Sequence, residues 1–470
     1  MKQKLGGNNK ISEVKKFAED NAFYDDITDD EFFVFGADFG TGNDDDHFQI
    51  GFTSKALINR IPEAVIFHCD GTYKVLKLGF PLMVLGISDI NRKFWPIGFM
   101  FSSHEQKEDY FKFFTKIKNI AKKCGVNFDP HYMIIDACKA MAYALRKCFP
   151  KCTIIMCWFH LKYNIRKKKH WLGSKYKKVL NHINALHNTT NQLEFLELWK
   201  KIEKIWLKKK SMKKFHKYFK KQWIESSFSN WQIFKTPPGY ATTNNPIESY
   251  NNKIKTFFTN RLKLNIVPAL EIFKSDCIVP ESKSVFYYGK EIKITTNLEN
   301  KAKLLSNAKF TKFDEHLYEY KHTKGTISNI NLINRTCTCH VTVDKGICLH
   351  LIKAAIIQNY RLPGMVSLDK FSIRKMRKKI ENKDEDDGSS SSCSENEETE
   401  TSVFENNVIE ATQNVVHKEI TKRGRPAKIA KALVVDTEPD RVKKLVNKSK
   451  KTPLVAVRSS NILKNKNNLN

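Results

Sequence analysis

Residues 64–157 alternate between two periods of apolarity, and that alternation restricts the chain to a small set of folds. "AVIFHCD" is a short apolar run ending in Asp70, and "GTYKV" continues it past Gly71 as a strand with a tight bend would. "LMVLGIS" and "FWPIGFMFS" are β-rich and separated by the polar "DINRK", which predicts a hairpin meander. "EQKEDYFKFFTKIKNIAKKCG" then carries apolar residues at helical spacing and stops at a glycine. "HYMIID" returns to strand, "ACKAMAYALRKCF" to helix and "CTIIMC" to strand. Three strands, a helix, a strand, a helix and a strand predict an α/β fold, a mixed sheet with helices packed on it.

The rest of the 470 residues falls into segments of different character. Residues 1–60 mix helical scraps with the acidic turn "GNDDDHF" and receive no role. Residues 61–265 read as one α/β domain, within which about 160–235 is helix only: tryptophans and phenylalanines alternate with lysine clusters, so an apolar stripe packs inward and a basic face points out. Residues 266–325 read as a connecting region, and 326–362 as a compact β-β-helix pattern. Residues 381–417 open with a serine-rich acidic stretch too poor in apolar groups to fold alone, and the basic tail 418–470 is also expected to be disordered.

Charge points to partners. A formal net charge of +31 attracts polyanions, and nucleic acid is the first of these; a merely solvated lysine-rich surface is the plainer reading. Eleven cysteines, an odd number, are scattered except for one tight group at 337–348, as in a reducing compartment with one metal site. The N-terminal residues lack an apolar stretch of signal-peptide length, and no apolar run reaches the roughly 18 residues of a membrane span. An intracellular, nuclear protein without a membrane segment is expected.

Asp70 and Asp136 each end an apolar strand, which in a parallel pair puts both carboxylates at one sheet edge. An isolated aspartate there is more often a turn or cap residue. Two close carboxylates must share a proton or hold cations. Glu248, in "TTNNPIESYNNKIK", sits in a first helical turn, where the helix dipole suits it, and is a third oxygen donor. Mg2+ or Mn2+ favours such donors, and an ion pair of this kind serves phosphoryl transfer.

Taken together, "FHCDGTYKV", "IIDACKAMAYALRKCFP", "CWFHLKYNIRKK" and "TTNNPIESYNNKIK" resemble the transposase domain of Mutator-like elements (MULEs) over roughly residues 45–265. The resemblance implies a ribonuclease H-like fold with a DDE triad at Asp70, Asp136 and Glu248, the helical insertion accounting for the long gap before Glu248. It implies a DNA transposase that cuts and transfers strands at transposon ends, acting as a homo-oligomer on DNA. A transposase-derived, non-catalytic DNA-binding regulator is the alternative, and a protein-interaction scaffold a weaker one. Cys157 and His160 match the family's CxxH motif, with the implied role of ordering the region beside the triad and contacting DNA. A zinc site completed by His182 and His187 is the competing reading of that pair.

"CTCHVTVDKGICLH" places Cys337, Cys339, Cys348 and His350 as four soft ligands in fourteen residues, suited to a closed tetrahedral zinc, with His340 the one neighbour that confuses the assignment. The arrangement is similar to the SWIM-type zinc finger that commonly follows a MULE domain; its partner is DNA or protein. "KRGRPAK" resembles an AT-hook, in which Arg423 and Arg425 enter a narrow A·T minor groove, and reads equally as a nuclear-localisation signal.

Overall fold

A computed structural model of the chain describes residues 10–40, 47–323 and 325–365. The acidic segment 381–417, the tail 418–470 with its expected disorder, and Arg423 and Arg425 lie outside the described residues.

A seven-stranded mixed sheet organises the larger part. Its strands are β1 (Phe33–Asp38), β2 (Gln49–Thr53), β3 (Ile66–Thr72), β4 (Leu82–Ser88), β5 (Phe94–Ser102), β6 (Tyr132–Ile135) and β7 (Thr153–Met156), in the spatial order β1-β2-β5-β4-β3-β6-β7. The pairs from β1 to β3 are antiparallel, whereas β3–β6 and β6–β7 are parallel. Every residue of β4 is buried, as a central strand covered on both faces requires. Two expectations need revision. Residues 33–53, given no role from sequence, extend this sheet by two strands. Gly71 is not a bend, for β3 continues through it to Thr72.

Two apolar cores sandwich the sheet. On one face lies the helix Lys107–Lys123, whose Tyr110, Phe113, Phe114, Ile117 and Ile120 recur at helical spacing, together with the helix Lys139–Cys148. A Gln106–Asp109 capping box fixes the start of the longer helix. The other face receives the helices Ile11–Asp20, Asn245–Lys253 and Ile266–Ile272.

From Trp158 to Ile224 the chain is mostly helical, and 225–244 is mostly turns: Trp158–Lys167, Tyr176–His187, Gln192–Leu207 and Lys213–Phe219 are the longer helices. Trp199, Trp206, Trp223, Trp231, Phe215 and Phe219 are buried among themselves and merge with the first core. Rings such as Trp206 and Phe219, 5.3 Å apart and edge to face, build this interior.

A smaller sheet, β11-β10-β9-β8, is formed by β8 (Phe310–Lys312), β9 (Leu317–Lys321), β10 (Ile327–Asn331) and β11 (Thr336–Cys337). Two of its strands come from residues read as a connecting region. The helices His340–Lys345 and Leu349–Gln358 pack with it around a third core. Among the described residues, no helix is long and apolar enough to cross a membrane.

Candidate active site and metal centres

β3 and β6 lie in parallel register, with Ile66 opposite Tyr132 and His68 opposite Ile134. The same offset carried two residues further brings Asp70, near the C-terminal end of β3, level with Asp136, which directly follows β6. The helix Asn245–Lys253 carries Pro246 in its first turn, where the missing N–H costs nothing, and buries Ile247, Tyr250 and the following Ile254 in the second core. That burial turns Glu248 and Asn251, three residues apart, to a shared face. Asn251 Nδ2 donates to Asp70 Oδ2 at 2.8 Å.

The electrostatics are those of crowded like charges. Burial, then Asp136, Glu248 and Glu105, raise Asp70 to about 7. Burial also raises Asp136 and Glu248, His160 pulling both back down. His160 Nδ1 lies 3.8 Å from Glu248 Oε1, and neither buried atom has a hydrogen-bond partner among the described residues.

Glu105, missed in the sequence, is a fourth carboxylate. It precedes the helix Lys107–Lys123 and accepts hydrogen bonds from Tyr110 Oη at 2.9 Å and from Tyr73 Oη. Its Oε1 packs onto the Cα of Gly71, where an added Cβ would come within 2.1 Å of it. Glycine next to Asp70 therefore admits Glu105 to the site.

A buried polar chain supports the acids from behind. His68, two residues before Asp70, meets Asn244 Oδ1 through Nδ1 at 3.0 Å and Ser88 Oγ through Nε2 at 2.8 Å. Because Oδ1 only accepts, Nδ1 carries the proton, and burial holds the ring neutral with its pKa lowered to about 4. Asn244 precedes the Glu248 helix, and its backbone N–H donates to Cys157 Sγ at 3.2 Å. Burial pushes the Cys157 thiol up to about 11, so it accepts as a thiol.

The Cys157–His160 pair is not completed by either distant histidine. His182 accepts from Trp206 Nε1 at 3.0 Å; His187 stacks on Trp158 at 3.8 Å and bonds the Trp231 carbonyl at 2.6 Å. Two groups of possible ligands have their atoms within 4.8 Å of one another among the described residues. Glu248 belongs to one, with Cys157 and His160 rather than with the aspartates.

The other group is Cys337, Cys339, Cys348 and His350. β11 carries Cys337, Cys339 and Cys348 precede the two short helices, and His350 follows in the second helix's first turn. His340 falls outside the group. Three free thiols and an imidazole gathered without a disulfide are compatible with zinc. Gly346, at φ 71°, ends the first of these helices in the left-handed conformation. A Cβ there would lie 3.2 Å from the Cα of Gly239, in the loop that leads to Asn244.

Carboxylates on adjacent parallel strands, faced by a helix that adds a third, are donors of the kind that suits divalent cations. The family model for the MULE transposase domain matches residues 66–164, supporting a MULE transposase and, with it, DNA as partner and use of a divalent metal. The match contains Asp70, Asp136, Cys157 and His160, and ends before Glu248 and the cysteine cluster. No curated protein matches the chain.

Proposed function

We propose that the chain is a metal-dependent DNA transposase of ribonuclease H-like fold, whose catalytic acids are Asp70, Asp136 and Glu248. The observation that carries this reading is the lateral pairing of Asp70 with Asp136 beneath the Glu248–Asn251 face. The strand order β5-β4-β3-β6-β7 also supports it, three antiparallel strands passing into two parallel ones beside the first acid.

The donor set fits hard cations: carboxylates forced together, one raised to about 7, lose that repulsion only by protonation or by a cation. Because Glu248 stands nearer His160 than the aspartates, the acids suit two ions better than one. Mg2+ or Mn2+ bound there supplies Lewis-acid activation and charge stabilisation in phosphoryl transfer. Asn251 fixes one oxygen of Asp70. His160 holds its ring against Glu248, placed to donate to a strand phosphate. The chain His68–Asn244–Cys157 ties both acid-bearing elements together. Zinc at Cys337, Cys339, Cys348 and His350 closes the small domain as a SWIM-type finger.

Incubating the purified chain with terminal-repeat DNA and magnesium or manganese tests the reading. Nicking or strand transfer that disappears in Asp136→Asn is expected; activity surviving that change defeats it. The non-catalytic regulator predicts tight DNA binding with no cleavage.

A further inference from the structure

Two surface straps meet beside Asp70. The first, residues 73–77, leaves β3 directly after the acid; the second, 260–264, follows the Glu248 helix. They are stitched by backbone bonds, Lys77 N–H to the Leu264 carbonyl at 2.8 Å and Leu264 N–H to the Val75 carbonyl at 2.9 Å. Val75, Leu76 and Leu264 anchor both straps in the second core. Outward they present Lys74, Lys77, Arg261 and Lys263, all exposed.

Lys74 and Arg261 hold positive φ angles of 72° and 58°, and Asn260 one of 48°. Glycine adopts that conformation freely, whereas a long side chain is uncommon there. The chain thus keeps cations at two positions where the backbone favours having no side chain, and such departures cluster at functional sites. Lys255 completes the group. It lies one helical turn beyond Asn251, the residue that bonds Asp70; burial lowers the Lys255 pKa, Asp70 raises it, and Lys74 and Arg261 lower it further. None of Lys74, Lys255 and Arg261 pairs with a carboxylate within 4.0 Å among the described residues, although like charges so gathered repel.

We propose that Lys74, Lys255 and Arg261 form a phosphodiester-binding ridge that carries the reacting DNA strand up to the acids. This rests on the transposase reading and adds to it the residues that hold the strand. Fixed cations bind successive phosphates and release counterions.

The test is the salt dependence of binding by the full chain to a fluorescent duplex, without added magnesium or manganese, across roughly 50–200 mM KCl. Lys74→Gln with Arg261→Gln removes two phosphate contacts, lowering the slope of log affinity against log salt by about 1.8. The pair Lys74→Gly with Arg261→Gly gives the same loss while suiting the positive φ, so a folding defect cannot account for both. Lys122→Gln with Lys147→Gln, on helices of the opposite face, leaves the slope as it was. An unchanged slope in the ridge variants, or an equal fall in the control pair, overturns the ridge. Binding is read without chemistry, so a chain that never cuts DNA still tests the ridge; a chain that cuts while the ridge variants keep the parent slope overturns the ridge alone.

Discussion

Asn251 reaches across from the Glu248 helix to hold an oxygen of Asp70 at 2.8 Å, joining residues far apart in the chain. An amide bonded to one carboxylate fixes its rotamer without neutralising it. Asp70 thus keeps its orientation whether or not a cation is present, and the like-charge repulsion stays stored in the site.

That repulsion predicts an unusual pH response. Asp70 titrates near 3.9 in an unfolded chain and at about 7 in the fold, so the folded state binds the extra proton in between. Its contribution is full at low pH and lost as pH rises from about 4 to about 7. His68 and His187, both lowered to about 4, act oppositely between about 4 and 6.5, so the comparison must be differential. Asp70→Asn is expected to stabilise the metal-free protein at pH 8 by a few kcal/mol, on the order of two to four, and much less at pH 4. Urea titrations of the two proteins at both pH values measure it. Equal differences at the two pH values contradict the account.

Cys157 is predicted to matter as an acceptor. Cys157→Ala leaves the buried Asn244 N–H without a partner and should cost about 1–3 kcal/mol, with a fall in turnover as the Glu248 helix loosens. Cys157→Ser keeps an acceptor and should recover much of both. If serine is as damaging as alanine while zinc content falls, metal ligation explains the residue better.

Gly71→Ala tests the fourth carboxylate. The new methyl collides with Glu105, whose side chain must leave its two tyrosine partners. A stability loss of about 1–3 kcal/mol is expected, together with weaker Mn2+ binding by calorimetry. Unaltered Mn2+ affinity would show that Glu105 lies outside the cation site.

Metal analysis of the purified chain should give one tightly held zinc, lost in Cys348→Ser. The small domain has only a modest core of its own, so removal of the ion should unfold residues 310–358 while the seven-stranded sheet persists. Hydrogen exchange resolves the two regions. Retained zinc in Cys348→Ser would refute the ligand set.

Much of the sheet was legible because β3 to β7 are buried runs separated by amphipathic helices or polar turns, signals that survive without tertiary context. β1 and β2 were not. Gly51 breaks the apolar pattern of β2 because the ring of Phe35 lies against its Cα, and that need appears only once the strands are paired. β8 and β9 were hidden by exposure, since β9 alternates buried tyrosines with charged residues and reads as a polar linker. Of the site, the three acids were visible through their neighbours in sequence. Glu105 was not, because a glutamate before a helix has an ordinary electrostatic role there. Asn244, Asn251 and His68 gave no signal, their significance lying wholly in partners distant along the chain.

The helical insertion has a temporal consequence. A growing polypeptide has made both aspartates, and every tryptophan of the inserted helices, before Glu248 is synthesised. Nascent chains therefore carry the candidate site without one of its acids, and its assembly waits until the intervening helices have condensed. Placing that residue last makes the candidate site's third acid depend on the insertion that precedes it.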